Sequence, residues 1–462
     1  MNKIEKKILL SFVLIFSIFI NKAFAEKEDN GKIEVEKEPL FQNIEDRTFK
    51  LNQANSDRQL YSPFNSPFSQ AQFVPDIALI LDFSYAQRNL SNENFSSLIT
   101  PAFSRSSIKS HGPLNGKNGF NFNYGELVIA STVDPFFDLF TTFHLNEFEF
   151  EIEEAFFNTR NIPWGFQFKA GKFLSSFGRI NSQHTHFWDF ADQNLIYDNL
   201  LGSHGILEKG VQVNWIAPLD TYLLLGAEVL GGDNPKSFGT SGFQVGTNKL
   251  EEVNIPNLLV AFMKSSMDFE DLTALGGLSF AQGGTRYISE SSSSNTNMHI
   301  HSISENNQIP DNFAGGTRLY GADLTLKYFF DSYRYISLQT EYLHRSISGN
   351  AYTTASERKA YSSEQSGLYT QLIWKFNQQW RFGGRYDLMN QNNIFNNNIR
   401  LDNIGNLSRY SAMIDYNPSE FSRIRLQYNY DQSKYLDSNQ QPLNEVFLQF
   451  NMAIGAHGAH QF

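Results

Sequence analysis

The sequence predicts an all-β fold, a transmembrane antiparallel β-barrel of about 16 strands within a range of 14–18. In the last predicted strand, Val446, Leu448, Phe450, Met452 and Ile454 alternate with mostly polar or small residues, which is typical of a strand between two solvents. The aromatic content of 15%, with 43 Phe and 20 Tyr, suits a lipid-facing surface with interfacial girdles. Connections that alternate between short and long are a third indication of a barrel.

The N-terminus has the features of an export signal. Three lysines precede an apolar run over 8–20, and Ala23 and Ala25 form a small-x-small cleavage site. An apolar run of about 13 residues is shorter than the roughly 20 that a spanning helix needs. We therefore expect 1–25 to be a secretory signal peptide.

Residues 26–75 form a distinct segment, because a charged run is followed by polar residues and prolines. This composition buries little apolar surface, so we expect a largely disordered N-terminal extension in the periplasm. The outer-membrane barrel itself is assigned to 76–462.

The strands follow one another along the barrel domain. The first carries Ile77, Leu79 and Phe83 on one face and Asp82 and Ser84 on the other. Further strands are predicted near 118–132, 137–145, 148–159, 165–174, 209–217, 221–231, 255–266, 272–283, 315–330, 334–348, 362–376, 379–391, 407–417, 421–433 and 444–456. Short turns are expected in the periplasm and long loops outside the cell, with a tight exception at Asn146-Glu147.

Aromatic residues gather around the predicted short turns, where an interfacial belt should lie. They are Trp164, Phe166, Phe329, Phe330, Trp374, Phe376, Trp380 and Phe382. The alternative fold is a soluble β-sandwich or propeller, which gives no reason for aromatic side chains at those turns.

Charged residues of opposite sign are predicted on the lumen face, because charges facing lipid would cost several kcal/mol near the midplane. The acidic set is Glu147, Glu149, Glu151 and Glu153. The basic set is Lys375, Arg381, Arg385, Arg409, Arg423 and Arg425. The two sets predict a transverse field that sorts solutes by charge. The alternative is that they neutralise each other and only fill the lumen.

A long connection after the fifth strand concentrates unusual residues over 178–192. His184, His186 and Asp189, with His204 beyond them, offer imidazole and carboxylate ligands of the kind that bind zinc. The alternative is a loop folded into the barrel, in which these side chains hydrogen-bond to neighbours. His457 with His460 and His299 with His301 are weaker metal candidates.

Several function classes are disfavoured. The chain has no cysteine, which removes disulfides and thiolate metal sites, and a net charge of -11 disfavours a nucleic-acid partner. No hydrolase, nucleotide-binding or zinc-protease motif occurs, so we expect no enzyme activity.

Several motifs resemble those of a known family. They are Glu154-Ala155-Phe156, Gly171-Lys172-Phe173, Phe177-Gly178-Arg179-Ile180-Asn181, His184-x-His186-x-Trp188-Asp189-Phe190 and the closing segment 455–462. The chain resembles porin-like outer-membrane proteins often labelled zinc-regulated TonB-dependent receptors, whose barrels are similar to phosphate-selective porins. The resemblance implies a porin-like barrel without a plug domain and a link to zinc in expression or transport.

These observations predict a channel for passive diffusion of small hydrophilic solutes or ions. The alternatives are a zinc-linked outer-membrane receptor or uptake protein, and an adhesive barrel with loops such as 284–314. The expected partners are outer-membrane lipid and the barrel-assembly machinery of a Gram-negative cell, which would recognise the strand before Phe462. Porins of this size are often trimers, so a homotrimer is one assembly to test.

Overall fold

The computed structural model describes residues 75–102, 114–147, 149–234, 236–254, 256–288, 310, 312–352, 357–401, 405–436 and 439–455. The predicted signal peptide, nearly all of the N-terminal extension and the tail with His457, His460 and Phe462 lie outside these residues. So do His299 and His301. Within the described residues, no helix is long and apolar enough to cross a membrane.

Sixteen antiparallel strands build the barrel, as predicted. They are β1 Asp76–Arg88, β2 Gly119–Thr132, β3 Phe137–Leu145, β4 Phe150–Thr159, β5 Phe166–Leu174, β6 Leu207–Ile216, β7 Tyr222–Leu230, β8 Leu258–Phe269, β9 Leu272–Ile288, β10 Asn312–Phe329, β11 Tyr335–Tyr352, β12 Arg358–Lys375, β13 Trp380–Met389, β14 Leu407–Ser419, β15 Ser422–Asp431 and β16 Leu443–Gly455. Each strand pairs with the next, and β1 pairs with β16 from Ala78↔Gly455 to Arg88↔Glu445. The sheet is therefore closed.

Small elements of secondary structure lie in the connections between the barrel strands. Strands Asn393–Asn396 and Ile399–Arg400 extend the sheet beside β12, while Phe243–Val245 with Asn248–Leu250 and Tyr435–Leu436 with Asn439–Gln440 form separate hairpins. Helix α1 spans Asn92–Ser96, and helix α2 spans Leu195–Leu200. Single 3-10 turns occur at Pro163–Gly165 and Thr185–Phe187.

The two faces of the wall follow the predicted alternation. On β16, Val446, Met452 and Ile454 are exposed outward, whereas Gln449 and Asn451 are buried inside. At the short turns, Trp164 is 84% exposed and Trp374 lies 6.4 Å from Phe382 between ring centres. Phe329 differs from the predicted belt, because it packs inward against Tyr335. The rest of the outer surface has the apolar and aromatic character expected of a face toward lipid.

A bulge interrupts the pairing of β3 with β4. Thr142 pairs with Glu154 and Phe143 pairs with Ile152, so Glu153 is the extra residue. Strict alternation would turn one of two consecutive residues outward. The bulge instead leaves Glu153 and Glu154 both buried inside the barrel, at 7% and 5% exposure.

The connection between β5 and β6, residues 175–206, folds into the barrel and is called the inserted loop. Its Phe177, Leu195, Ile196 and Leu200 are fully buried with inward residues of the wall such as Leu343. The barrel therefore has a hydrophobic core inside its lumen.

Candidate functional site

The inserted loop is anchored where it leaves β5. Ser175 Oγ donates a hydrogen bond to Glu228 on β7 at 2.5 Å, and the Ser176 amide donates to the same carboxylate at 2.8 Å. Asn181 bridges the two ends of the loop, because its side chain donates to the Ser175 carbonyl at 2.8 Å and accepts from the Ile206 amide at 2.8 Å. The loop is thus closed on itself before it crosses the lumen.

The carboxylates of the inserted loop meet arginines of the wall strands β13 and β14. Arg381 contacts Asp189 at 2.9 Å, while Asp192 lies 3.0 Å from Arg385 and 2.9 Å from Arg409. All three arginines are buried, at 6–8% exposure. Charge-assisted pairs of this kind are strong when both partners are desolvated and fully hydrogen-bonded.

Arginines of β15 hold the backbone of the same loop. Arg423 donates to the His186 carbonyl oxygen at 2.8 Å, and Arg425 donates to the Trp188 carbonyl oxygen at 3.2 Å. Arg425 also pairs with Asp415 at 2.7 Å. We call Arg381, Arg385, Arg409, Arg423 and Arg425 the basic wall.

The electrostatics at Asp192 follow from these partners. Burial alone would raise the pKa of the Asp192 carboxyl, but the guanidinium groups of Arg385 and Arg409 overcome this effect and hold the pKa below its usual value. Gln427 also donates a hydrogen bond to the carboxylate at 2.6 Å. Asp192 is therefore ionised at neutral pH.

Histidines of the inserted loop face the opposite charge on β2 and β4. His184 Nε2 lies 2.7 Å from Glu154 Oε2, and His184 Nδ1 lies 3.5 Å from both Glu126 Oε1 and Glu153 Oε2. His186 Nδ1 lies 3.1 Å from Glu126 Oε2. We call Glu126, Glu153 and Glu154 the acidic wall. Burial alone would lower the pKa of His184, but the facing carboxylates raise it well above its usual value.

Not all of the predicted lumen residues lie on the inner face of the wall. Glu153 and the basic wall face inward from strands, whereas Glu147 and Glu149 are exposed in the connection before β4. Strand β4 begins only at Phe150, so the prediction that these two glutamates lie on its wall is wrong. Glu151 is half-buried on β4, and Lys375 is buried at the end of β12. Whether any of them lines an open pore stays a prediction.

The predicted metal set separates in the structure. His184 and His186 face the acidic wall, and His204 Nδ1 lies 3.9 Å from Glu153 Oε1. Asp189 belongs to the opposite side, where it contacts Arg381 and accepts from Gln371 at 2.8 Å. The grouping of Asp189 with the histidines is therefore wrong, because the loop turns different faces of its backbone toward the two walls.

Two acidic residues were missed by sequence reasoning. Glu126 is an isolated carboxylate on the inward face of β2, and its parity alone would have placed it in the lumen. Glu154 has the outward parity of Ile152, so only the bulge explains its inward position. No feature of the sequence near Glu154 predicts that bulge.

A protein of Aquifex aeolicus, described only as an uncharacterized protein, is 46% identical over 419 residues, which cover 90% of this chain and 86% of that protein. No family model matches the chain, so the resemblance to zinc-regulated TonB-dependent receptors stays a prediction. The 16 strands also differ from the 22 of plugged outer-membrane transporters.

Solved structures with similar architecture are outer-membrane proteins. OmpT of Vibrio cholerae has 9% identity and a TM-score of 0.47, covering 84% of this chain and 99% of that chain. The DcaP channel of Acinetobacter baumannii has 12% identity and a TM-score of 0.47 over 84% and 99%. An anion-selective porin from Comamonas acidovorans has 10% identity and a TM-score of 0.45 over 82% and 99%. Values of this size describe a general likeness of architecture and nothing about the solute.

Proposed function

We propose that this chain, which belongs to the same family as the uncharacterized Aquifex aeolicus protein, is a porin-like outer-membrane channel whose aperture is set by the inserted loop. Its solutes are small and hydrophilic. The apolar outer face and the polar inner face of the wall support a barrel that separates lipid from water. The long connections face the cell exterior, and the short turns and the N-terminal extension lie in the periplasm.

The observation that carries this proposal is the charge complementarity between the loop and the two walls. Within nine residues, His184 and His186 meet the acidic wall, and Asp189 and Asp192 meet the basic wall. The loop therefore bridges the lumen between wall sectors of opposite charge. A segment held in this way narrows the passage, and its polar contacts determine which solutes pass.

The charges on the wall affect selectivity mainly through the position of the inserted loop. Arg381, Arg385 and Arg409 pair with Asp189 or Asp192 of the loop. Arg423 and Arg425 donate to carbonyl oxygens of the loop, so the basic wall serves first to hold it. We expect selectivity to depend on loop position more than on the number of wall charges. The adhesive alternative rests on 284–314, most of which lies outside the described residues.

Planar-bilayer recording of the full-length protein tests the proposal. Wild type should insert with small, stepwise conductance, and the double variant Asp189→Asn/Asp192→Asn should conduct several-fold more with larger fluctuations, because its loop has lost both carboxylate contacts. Asp331→Asn is the matched control, since Asp331 lies in an exposed short turn and pairs only locally with Arg334 at 2.6 Å.

Two results would contradict the channel proposal. A tight seal without conductance steps in both wild type and the double variant would exclude passive diffusion. An equal rise in conductance in the Asp331→Asn control would show that the inserted loop does not set the aperture.

A further inference from the structure

Three buried ligand atoms converge where the inserted loop meets the acidic wall. They belong to Glu126 of β2, Glu153 of β4 and His184 of the loop, each of which offers one ligand atom within 4.8 Å of the other two. The atoms that face one another are His184 Nδ1, Glu126 Oε1 and Glu153 Oε2. We call these three residues the ligand triad. None of the three atoms has a hydrogen-bond partner among the described residues, although each is removed from solvent. Buried polar atoms are seldom left without a partner, so this cluster requires an explanation.

The separations suit a metal ion better than a hydrogen bond. His184 Nδ1 lies 3.5 Å from each carboxylate oxygen, whereas N–H···O hydrogen bonds usually span about 2.7–3.2 Å. Two ligand atoms that are each about 2.1 Å from a tetrahedral zinc ion are separated by about 3.4 Å. The observed spacing therefore leaves room for an ion between the atoms.

The remaining polar atoms of the triad are held by neighbours, as those of metal ligands usually are. His184 Nε2 faces Glu154 at 2.7 Å, which leaves Nδ1 directed at the triad centre. The second oxygen of Glu126 faces His186 Nδ1 at 3.1 Å. The Glu154–His184 pair is of the kind that fixes the tautomer and the ring orientation of a ligating histidine.

Charge at this point also favours a cation. Glu126, Glu153 and Glu154 are at most 7% exposed, and three carboxylates crowd around one imidazole. Burying several like charges is costly unless a positive group lies among them. One imidazole with two carboxylates is a nitrogen and oxygen ligand set that zinc and similar divalent transition ions accept.

We propose that Glu126, Glu153 and His184 bind one divalent transition-metal ion, with zinc as the probe, and that this ion fastens the inserted loop to β2 and β4. A small cavity lined by Glu153, His184 and His204 adjoins the triad and gives space for water as the fourth ligand. The site keeps only His184 of the sequence-predicted set, adds two wall glutamates, and leaves out His186, Asp189 and His204 as ligands. It goes beyond the channel proposal and does not require it.

Metal analysis of the full-length protein tests the site. Protein purified in detergent is stripped with EDTA, titrated with zinc and measured by elemental analysis after dialysis. Wild type should retain one zinc per chain, while His184→Ala and Glu153→Gln should bind at least about 100-fold more weakly. Glu154→Gln should weaken binding by about 10- to 100-fold, because Glu154 acts through His184.

Matched controls identify the site. Glu151→Gln changes the same residue type two positions along β4, and His457→Ala/His460→Ala removes the pair in the C-terminal tail; both variants should bind zinc like wild type. Retention of heat-modifiable mobility on SDS gels checks that each barrel is folded. Cobalt substituted for zinc should give the strong visible absorption of a four-coordinate ion in wild type and lose it in His184→Ala.

Three outcomes would overturn the proposal. They are wild type without stoichiometric zinc, undiminished zinc binding by folded His184→Ala and Glu153→Gln, and equal loss of zinc in the tail variant. A conductive barrel without zinc would refute the metal site and leave the channel proposal intact. A barrel that binds zinc but does not conduct would refute the channel proposal and leave the metal site intact.

Discussion

Single side chains decide how the inserted loop is held. Asp192 receives two arginines and the amides of Gln427 and Asn429, at distances from 2.6 to 3.0 Å. No neighbour of Asp192 in the sequence suggests these partners. They come from β13, β14 and β15, more than 190 residues later in the chain.

The lowered pKa of Asp192 predicts an acid-sensitive loop. The ionised Asp192 carboxylate contributes its full stabilisation above the pKa of the unfolded chain, about 3.9. This contribution is lost as the pH falls through the lower pKa of Asp192 in the folded protein. Asp192→Asn should therefore lower the free energy of unfolding at pH 7 by about 3 kcal/mol and reduce its acid dependence. Denaturant titrations at pH 7 and pH 3, followed by tryptophan fluorescence, measure both effects. An unchanged acid dependence in the variant would contradict the assignment.

Among the elements, β4 and β5 approach each other closely at a glycine of β5. Gly171 has φ of 139°, a region that other residues rarely adopt, and it pairs with Phe156. Phe156 packs 6.3 Å from Phe173 between ring centres and also carries Lys169 over its ring at 4.9 Å. The glycine therefore allows β4 and β5 to approach each other closely at this position.

Gly171→Ala should therefore destabilise the barrel. A Cβ at this position would overlap the Ala155 carbonyl oxygen and lie 2.6 Å from the Phe156 Cα, in addition to the strain of the positive φ. We expect a loss of about 1–3 kcal/mol, measured as a lower urea midpoint. Gly384→Ala on β13 is the control, because a Cβ there would meet no heavy atom within 4 Å. Equal stability of the two variants would argue against the strain.

At the scale of the whole molecule, the seam between β1 and β16 closes the sheet. Asp82 on β1 accepts hydrogen bonds from Gln449 at 2.7 Å and Asn451 at 3.0 Å on β16. Asn123 of β2 donates to the same buried carboxylate at 2.6 Å. The seam thus has a polar contact inside the lumen as well as its backbone ladder, and neither strand edge faces lipid unpaired.

A chain that ends at residue 442 should fail to form a heat-modifiable barrel when refolded in detergent, because β1 and β15 would both keep open edges. A chain that ends at Gly455 retains the complete β16 and should refold in the same assay. Refolding of the shorter chain would contradict the closed seam. In cells, poor insertion of the longer chain would support the predicted role of Phe462 in recognition by the assembly machinery.

The sequence by itself determined that the chain forms a barrel of about 16 strands, within a range of 14–18, and it assigned most of their faces. The alternation of apolar and polar side chains, as from Val446 to Ile454, is a local pattern. It arises because successive side chains of a strand face different surroundings on the two sides of the wall. The inward position of the wall arginines was also predicted, since charged side chains avoid lipid, but only Glu153 of the acidic wall was. Even the histidine-bearing loop was identified as unusual from its composition.

Only the tertiary structure decided which of these charges meet. The loop crosses the lumen, so Asp189 joins Arg381 instead of the histidines, and the basic wall holds a segment instead of standing open to solvent. The bulge that turns Glu153 and Glu154 inward together depends on the pairing of β3 with β4. Such contacts join residues far apart in the chain. Their free energies depend on how deeply both partners are buried in the folded protein, which the local sequence does not show.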